Sequence, residues 1–337
     1  MVPVVHTATV DYSAANEYIR AHYDVQSQYF DNVIDGSSVE YFHDGRVLQS
    51  HYDDDRKMLN DNGLAIVKCS TTQEPKWSEL KDIQNSYLPE LERIIHKLFP
   101  SKLLSYCFWN PMMRGESYEI SREGGSHNTK TPTANIASMV HIDTDVGAYE
   151  SIHDFLDIVE KNKVQTSTSE TKLHQNGIKD VADDIVHGRK RFVIVNFWKN
   201  IGDTPVSKAP LAILSTRYNK EHSAFPNSQP NMEESKWYVF PNATREEVIV
   251  FYQYDRNLKQ PSDLWHCAIS PENNETKLQD FQESPPRKSF DIRALIVLDE
   301  FVPEELDRFS SDRTRPVLTF EESGCFCDEQ AANRNGE

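Results

Sequence analysis

The sequence predicts a mainly β protein with flanking helices and a double-sheet, jelly-roll (cupin-like) core. Three observations carry that expectation. From about residue 104 onward the apolar residues fall in short, strand-length segments. Only two helix-period inserts interrupt those segments. No alternating strand–helix rhythm, internal repeat or glycine-rich phosphate loop accompanies them, which argues against a parallel, doubly wound sheet.

Residues 1–60 are polar and rich in Tyr, Asp and His, with short extended pieces such as VEYF at 39–42, and read as an N-terminal arm and outer strands. The main domain is expected over 61–308. It opens with the apolar strand NGLAIVKCS (62–70). Trp77, Leu80 and Ile83 then repeat at helical spacing, and Leu91, Ile94, Ile95 and Leu98 do so after Pro89. A proline there suits the first turn of a second helix better than the middle of one long helix. Strands follow at 104–109, 137–144, 191–198, 211–217, 236–241, 247–254, 265–270 and 289–298. The first helical insert places Ile152, Phe155, Leu156 and Val159 on one face. The second carries Ile178, Val181 and Ile185, with Gly188 as its stop. Between them the Ser/Thr-rich stretch 163–177 reads as a loop, and 309–337 as a flexible C-terminal tail.

Composition excludes several functional classes. The 337 residues are 38% hydrophobic and 26% charged, which favours a packed core over disorder. Thirty-six Lys and Arg stand against 53 Asp and Glu, a formal charge of −17 that would repel a phosphate backbone, so nucleic acid is not expected as a partner. No apolar run reaches membrane-spanning length, and the N-terminus lacks the pattern of a secretory signal. Five scattered cysteines make no disulfide framework. A cytoplasmic protein acting on a small molecule is the resulting expectation, with a homodimer as one assembly open to it. The pair Cys325 and Cys327 stands alone in the tail, and the acidic clusters at 53–55 and 183–184 read as solvated surface.

The most informative residues are His141, Asp143 and His266. In MVHIDTD the strand period of two puts His141 and Asp143 on one face, so an imidazole and a carboxylate can meet a single ion. Asp145 shares that parity, and spacing alone leaves either acid as the ligand. His266, in the later strand LWHCAI, can supply a third donor. Two histidines and one carboxylate with open positions is the facial arrangement of non-haem Fe(II) oxygenases. A chance surface pair is the plain alternative for His-x-Asp on its own. The segment PPRKSFDIRALIVL weighs against it. There Arg287, Ser289, Asp291 and Arg293 share one face of a strand whose other face, Phe290, Ile292, Ala294 and Ile296, is apolar. A basic face on a buried strand needs an anionic partner, and a guanidinium fork holds a carboxylate bidentately. The far carboxylate of 2-oxoglutarate fits, with the Ser289 hydroxyl adding a hydrogen bond. An internal Arg–Asp291 pair is the alternative. Asn196 and Trp198 share a strand face and are candidate substrate contacts, together with the adjacent Lys199. Trp198, Tyr252, Tyr254 and Trp265 are equally readable as packing.

The stretches SMVHIDT, RFVIVNFWKNIGDTPVSKAPLAI, KWYVFPNATREEVIVFYQYD, LWHCAI and PPRKSFDIRAL resemble, in order and over roughly residues 38 to 305, the fungal AsaB-type hydroxylase/desaturase family. That family is related to the cephem-methoxylation protein CmcJ and to gibberellin desaturases. The resemblance implies a double-stranded β-helix with an Fe(II)- and 2-oxoglutarate-dependent oxygenase activity in secondary metabolism, using O2, with ascorbate as reductant in vitro. It implies His141, Asp143 and His266 as iron ligands, and Arg287 or Arg293 as the cosubstrate arginine. The chain departs from the family at HIDTD, where HVDQS is usual, and at Asn196–Asn200, where NVWRP is usual. The second departure puts Lys199 in place of a fork-shaped cation.

Three rivals are separable. A cupin-like metal enzyme with the same triad would turn over without 2-oxoglutarate. A non-catalytic accessory subunit would fold but bind no Fe(II). A nucleic-acid demethylase also carries two arginines six residues apart on such a strand, but the charge of −17 and the absence of a basic stripe oppose it.

Overall fold

The computed structural model describes residues 4–11, 37–69, 74–116, 118, 129–138, 141–144, 146, 149, 151–164, 181–215, 236–240, 242–262, 264–271 and 285–309. Asp145, Ile178, the stretch 165–180, and the tail with Cys325 and Cys327 lie outside them.

Two sheets form the body. The larger runs in the order β3 (Leu64–Lys68), β10 (Glu247–Asp255), β7 (Arg191–Asn200), β13 (Lys288–Leu298), β4 (Leu103–Gly115) and β5 (Thr133–Ala134), with β6 (Lys163–Val164) also paired to β4. The smaller runs β11 (His266–Ala268), β8 (Leu211–Ser215), β9 (Lys236–Val239), β2 (Ser37–Asp44), β1 (Val4–Asp11) and β12 (Ser270–Pro271). Beyond β11, His141 makes an isolated antiparallel bridge to His266. Followed along the chain, β4, the His141 segment, β7, β8, β9, β10, β11 and β13 pass back and forth between the sheets. This is the jelly-roll path of a double-stranded β-helix. β1 and β2 extend the smaller sheet outward, β2 pairing in parallel with β9.

The larger sheet is apolar on its outer face, and helices cover it. α1 (Gly45–Gln49), α2 (Asp55–Asn62), α3 (Leu80–Ser86) and α4 (Leu88–Leu98) precede β4. Pro89 sits in the first turn of α4, where its missing N–H leaves no bond unmade. Leu88, Leu91 and Ile95 join Val195, Phe197, Ile292, Ala294 and Ile296 in one buried cluster. α2 ends at Gly63, whose φ of +75° turns the chain into β3.

On the other face of β7 and β13, side chains change character along the strand. Phe192, Ile194, Leu295 and Val297 pack with Trp109, Tyr254 and the buried face of α5 (Ile152–Lys161), namely Ile152, Phe155, Leu156 and Val159. α5 starts at Ser151, whose hydroxyl accepts from the Asp154 N–H at 3.1 Å. α6 (Ala182–Val186) buries Ile185 beside the same cluster, and Gly188 follows it at φ +69°. Farther along, the same strand faces present Asn196, Trp198, Arg293, Asp291, Ser289 and Arg287.

β4 runs six residues past the end expected at Trp109. Pro111 makes the segment read as a strand end, because it can give nothing to a ladder. The chain accommodates it in a bulge. Asn110 takes φ +54°, and the pairing with β13 slips between Asp291 and Arg293. The strand then resumes and carries Arg114 opposite Ser289.

Candidate metal centre

His141, Asp143 and His266 meet where the two sheets approach each other. The His141 and His266 backbones exchange N–H···O=C bonds of 3.1 and 3.0 Å, which fixes both imidazoles on one side of the bridge, ring centroids 4.3 Å apart. Asp143, two residues on, faces the same way. His141 Nε2 lies 3.5 Å from Asp143 Oδ1, and His266 Nε2 lies 3.2 Å from Asp143 Oδ2. One donor atom from each of the three falls within 4.8 Å of the others. Donors on one face of an octahedral ion with bonds of about 2.1 Å sit roughly 3 Å apart, so this spacing fits a single divalent cation.

The electrostatics fit as well. Burial would raise the Asp143 carboxyl, but the Arg293 guanidinium and then His266 outweigh it and hold the group well below the usual carboxylate range. Burial, then the neighbouring His141, pull His266 down, so its imidazole is kept neutral, the form that binds metal. Its Nδ1 lies 3.2 Å from the Leu264 carbonyl, which leaves Nε2 for the centre.

Neighbouring strands grip Asp143 further. Arg293 Nη2, on β13, is 3.1 Å from Asp143 Oδ1, and Asn196 Nδ2, on β7, donates to Asp143 Oδ2 at 3.0 Å. The Asp143 N–H donates to Gln253 Oε1 on β10 at 3.0 Å.

A cavity of about 340 Å³, including space open to solvent, adjoins the three residues; Arg114, Trp198, Phe251, Arg287 and Asp291 are among its walls. Arg114 Nε is 2.9 Å from Asp291 Oδ2. Arg287 is buried above the Trp198 ring, 5.6 Å from its centroid, and donates through Nη1 to the Ala209 carbonyl at 2.5 Å. Its Nε, Ser289 Oγ and Asp291 Oδ1 have no hydrogen-bond partner among the described residues. Burial, and then the charge of Arg114, pull Arg287 down to about 10. The guanidiniums of Arg114 and Arg287 line the cavity with the carboxylates of Asp143 and Asp291; Arg114 is paired with Asp291, and Asp143 is paired with Arg293 behind the wall. An anion of carboxylate type answers the unpaired donors, Arg287 Nε and Ser289 Oγ.

The remaining candidates separate. Asn196 lines the cavity but spends its amide on Asp143, and Trp198 forms the wall beneath Arg287. Lys199, the third candidate substrate contact, is not among the walls of this cavity. Strand alternation turns it to the opposite face, where it is fully buried, its Nζ bonded to the Arg245 carbonyl and 5.8 Å from the centroid of the Tyr87 ring. Tyr252 and Tyr254 pack in the two apolar clusters. The sequence reading overlooked Arg114 and Gln253. Arg114 was hidden by Pro111, and Gln253 by a bulge in β10 between Tyr252 and Tyr254 that alters its facing.

Solved structures share this fold. The iron and alpha-ketoglutarate-dependent endoperoxidase NvfI is 18% identical, with a TM-score of 0.50 over 79% of this chain and 86% of that one. A tryptophan-to-phenylalanine variant of the same enzyme is 17% identical, with a TM-score of 0.53 over 88% of this chain and 99% of that one. At such identities the likeness is one of fold. A comparison with curated proteins finds no match. A family model does match, over residues 10–297, and the chain accordingly belongs to the family described as "Oxidoreductase/YMDC permease-like domain".

Proposed function

We propose that the protein is an Fe(II)- and 2-oxoglutarate-dependent oxygenase that oxidises an unactivated C–H of a small secondary-metabolite molecule. The observation that carries this reading is the convergence of His141, Asp143 and His266 beside a buried arginine whose Nε is unpaired. The fold shared with an enzyme described as iron- and alpha-ketoglutarate-dependent supports it. Among the described residues no helix is long and apolar enough to cross a membrane.

In this reading His141, Asp143 and His266 hold the iron. Arg287 takes the far carboxylate of 2-oxoglutarate, with the Ser289 hydroxyl as a second donor. Of the two candidate arginines it is the one that lines the cavity and meets a backbone carbonyl, whereas Arg293 lies against Asp143. The iron, once bound with cosubstrate and O2, supplies oxidative decarboxylation of 2-oxoglutarate to succinate and carbon dioxide, coupled to C–H oxidation. The protein's own work is to keep His266 neutral, orient the acid, and shelter the chemistry between Trp198 and Phe251.

The test is aerobic incubation with Fe(II), ascorbate and 2-oxoglutarate, with succinate measured. His141→Ala and His266→Ala are each expected to abolish succinate formation. Full turnover by both variants refutes the assignment. With a substrate in hand, product mass separates hydroxylation, a gain of one oxygen, from desaturation or ring formation, a loss of two hydrogens.

A further inference from the structure

Arg287, the residue before β13, and Arg293, on β13, lie six positions apart, yet their surroundings differ in kind. Arg287 ends against a backbone carbonyl and the cavity. Arg293 ends against Asp143 Oδ1 at 3.1 Å, while Asn196 reaches Oδ2 at 3.0 Å. Arg293 and Asn196 are direct partners in the β13–β7 register, so adjacent strands deliver both donors to the same carboxylate. We propose that Arg293 and Asn196 are positioning residues for Asp143, and that the two arginines divide the work: Arg287 serves the cosubstrate and Arg293 the metal.

The physical argument rests on rotation. A carboxylate held only by a metal can turn about its Cβ–Cγ bond and swing between one-oxygen and two-oxygen ligation. Two donors from neighbouring strands, one on each oxygen, fix the plane of the group. The N–H of Asp143, tied to Gln253 on a third strand, fixes its backbone. Both histidine Nε2 atoms then face the edge of the carboxylate at 3.5 and 3.2 Å. The acid is thus set in place by strands β7, β10 and β13 before any ion arrives. Outer partners of this kind typically change metal affinity by 10–100-fold when removed.

The inference rests on the iron-oxygenase reading, and the experiment keeps their failures apart. Binding of Mn(II), a redox-stable stand-in, is measured by calorimetry for the full chain. Binding of 2-oxoglutarate is then measured at saturating Mn(II). Arg293→Met is expected to weaken Mn(II) by roughly 10–100-fold and to leave 2-oxoglutarate affinity, once the metal is saturating, within about twofold. Arg287→Met is expected to do the reverse. A merely structural role for Arg293 would lower both affinities together, so a matched loss overturns the proposal, as does an unchanged Mn(II) affinity. Should Arg293→Met fail to fold, Asn196→Ala takes its place, with a severalfold loss of Mn(II) affinity expected and an unchanged value overturning the proposal. Wild-type protein that bound no Mn(II) would sink the oxygenase reading and this inference together. Wild-type binding matched by the variants would sink the inference alone.

Discussion

Replacing Arg287 by Met removes a guanidinium that the folded protein holds at a disadvantage. Burial and the nearby Arg114 pull it down to about 10. At neutral pH the group is charged in both folded and unfolded chains, so that depression represents roughly 3 kcal/mol set against the folded cation. Its one direct bond, to the Ala209 carbonyl, returns about 1.5–3 kcal/mol, and the Trp198 ring about 0.5–1 kcal/mol. These terms nearly cancel. The variant should therefore fold with a stability within about 1 kcal/mol of wild type, a shift of only a few degrees in Tm. An ordinary buried arginine with its ion partner broken would lose about 3–5 kcal/mol. Cosubstrate binding should respond quite differently. Loss of a charge-assisted contact worth about 1.5–3 kcal/mol weakens a carboxylate by roughly 10–150-fold. Thermal unfolding of the metal-free protein and calorimetric titration of the Mn(II)-loaded protein with 2-oxoglutarate measure the two halves. A loss of more than about 3 kcal/mol in stability with unaltered cosubstrate affinity would make Arg287 a structural residue and refute the reasoning.

Other expectations test the frame around the site. Asp255→Ala strips Arg191 of a two-pronged buried partner, leaving Glu300 at 2.6 Å as its remaining ion pair, and should cost about 3 kcal/mol in urea unfolding. Gly63→Ala puts a Cβ 2.7 Å from Leu264 Cδ1 at a φ of +75°, and a destabilisation of about 2 kcal/mol is expected by the same measurement. Burial opposes ionisation of Glu300, but Lys102 and Arg191 outweigh it and hold the carboxyl below its usual 4.5. A depressed acid stabilises the fold above its unfolded value and loses that contribution as pH falls through its folded one. Wild type should accordingly exceed Glu300→Gln in stability at pH 7, and the gap should close only below about pH 4.5. Adding Mn(II) at 100 times its Kd should raise stability by about 2.7 kcal/mol in wild type and not in His141→Ala, as read from the Tm shift.

The alternation read from MVHIDTD and from PPRKSFDIRALIVL put His141 with Asp143, and Arg287 with Arg293, on common faces, although His141–Thr144 folds as an isolated bridge and a bend rather than as a strand. Alternation is local, set by the pleat of a single strand, and needs no neighbour. The helices were legible for a similar reason. Pro89 fits one turn of α4 and not the middle of a longer helix, and the spacing of Ile152, Phe155, Leu156 and Val159 defines a buried stripe. Lys199 marks the limit of adjacency in sequence. It stands next to Trp198, yet a one-residue step on a strand carries it to the far side of the sheet.

What sequence alone determined, then, is which side chains share a face and that the faces belong to a two-sheet β protein. Tertiary structure decided which of those faces meet. The bridge of His141 to His266 joins segments far apart in the chain, and the pairing of β7 with β13 brings Asn196 beside Arg293. It also separated the two arginines, identical in pattern, by giving one a carboxylate and the other an open cavity. The bulge at Asn110 returned Arg114 to the sheet after a proline that reads as an end. The physical reason is common to all of these. A strand's own period fixes direction, whereas its partners are fixed by long-range hydrogen bonding and burial, which no short window of sequence contains.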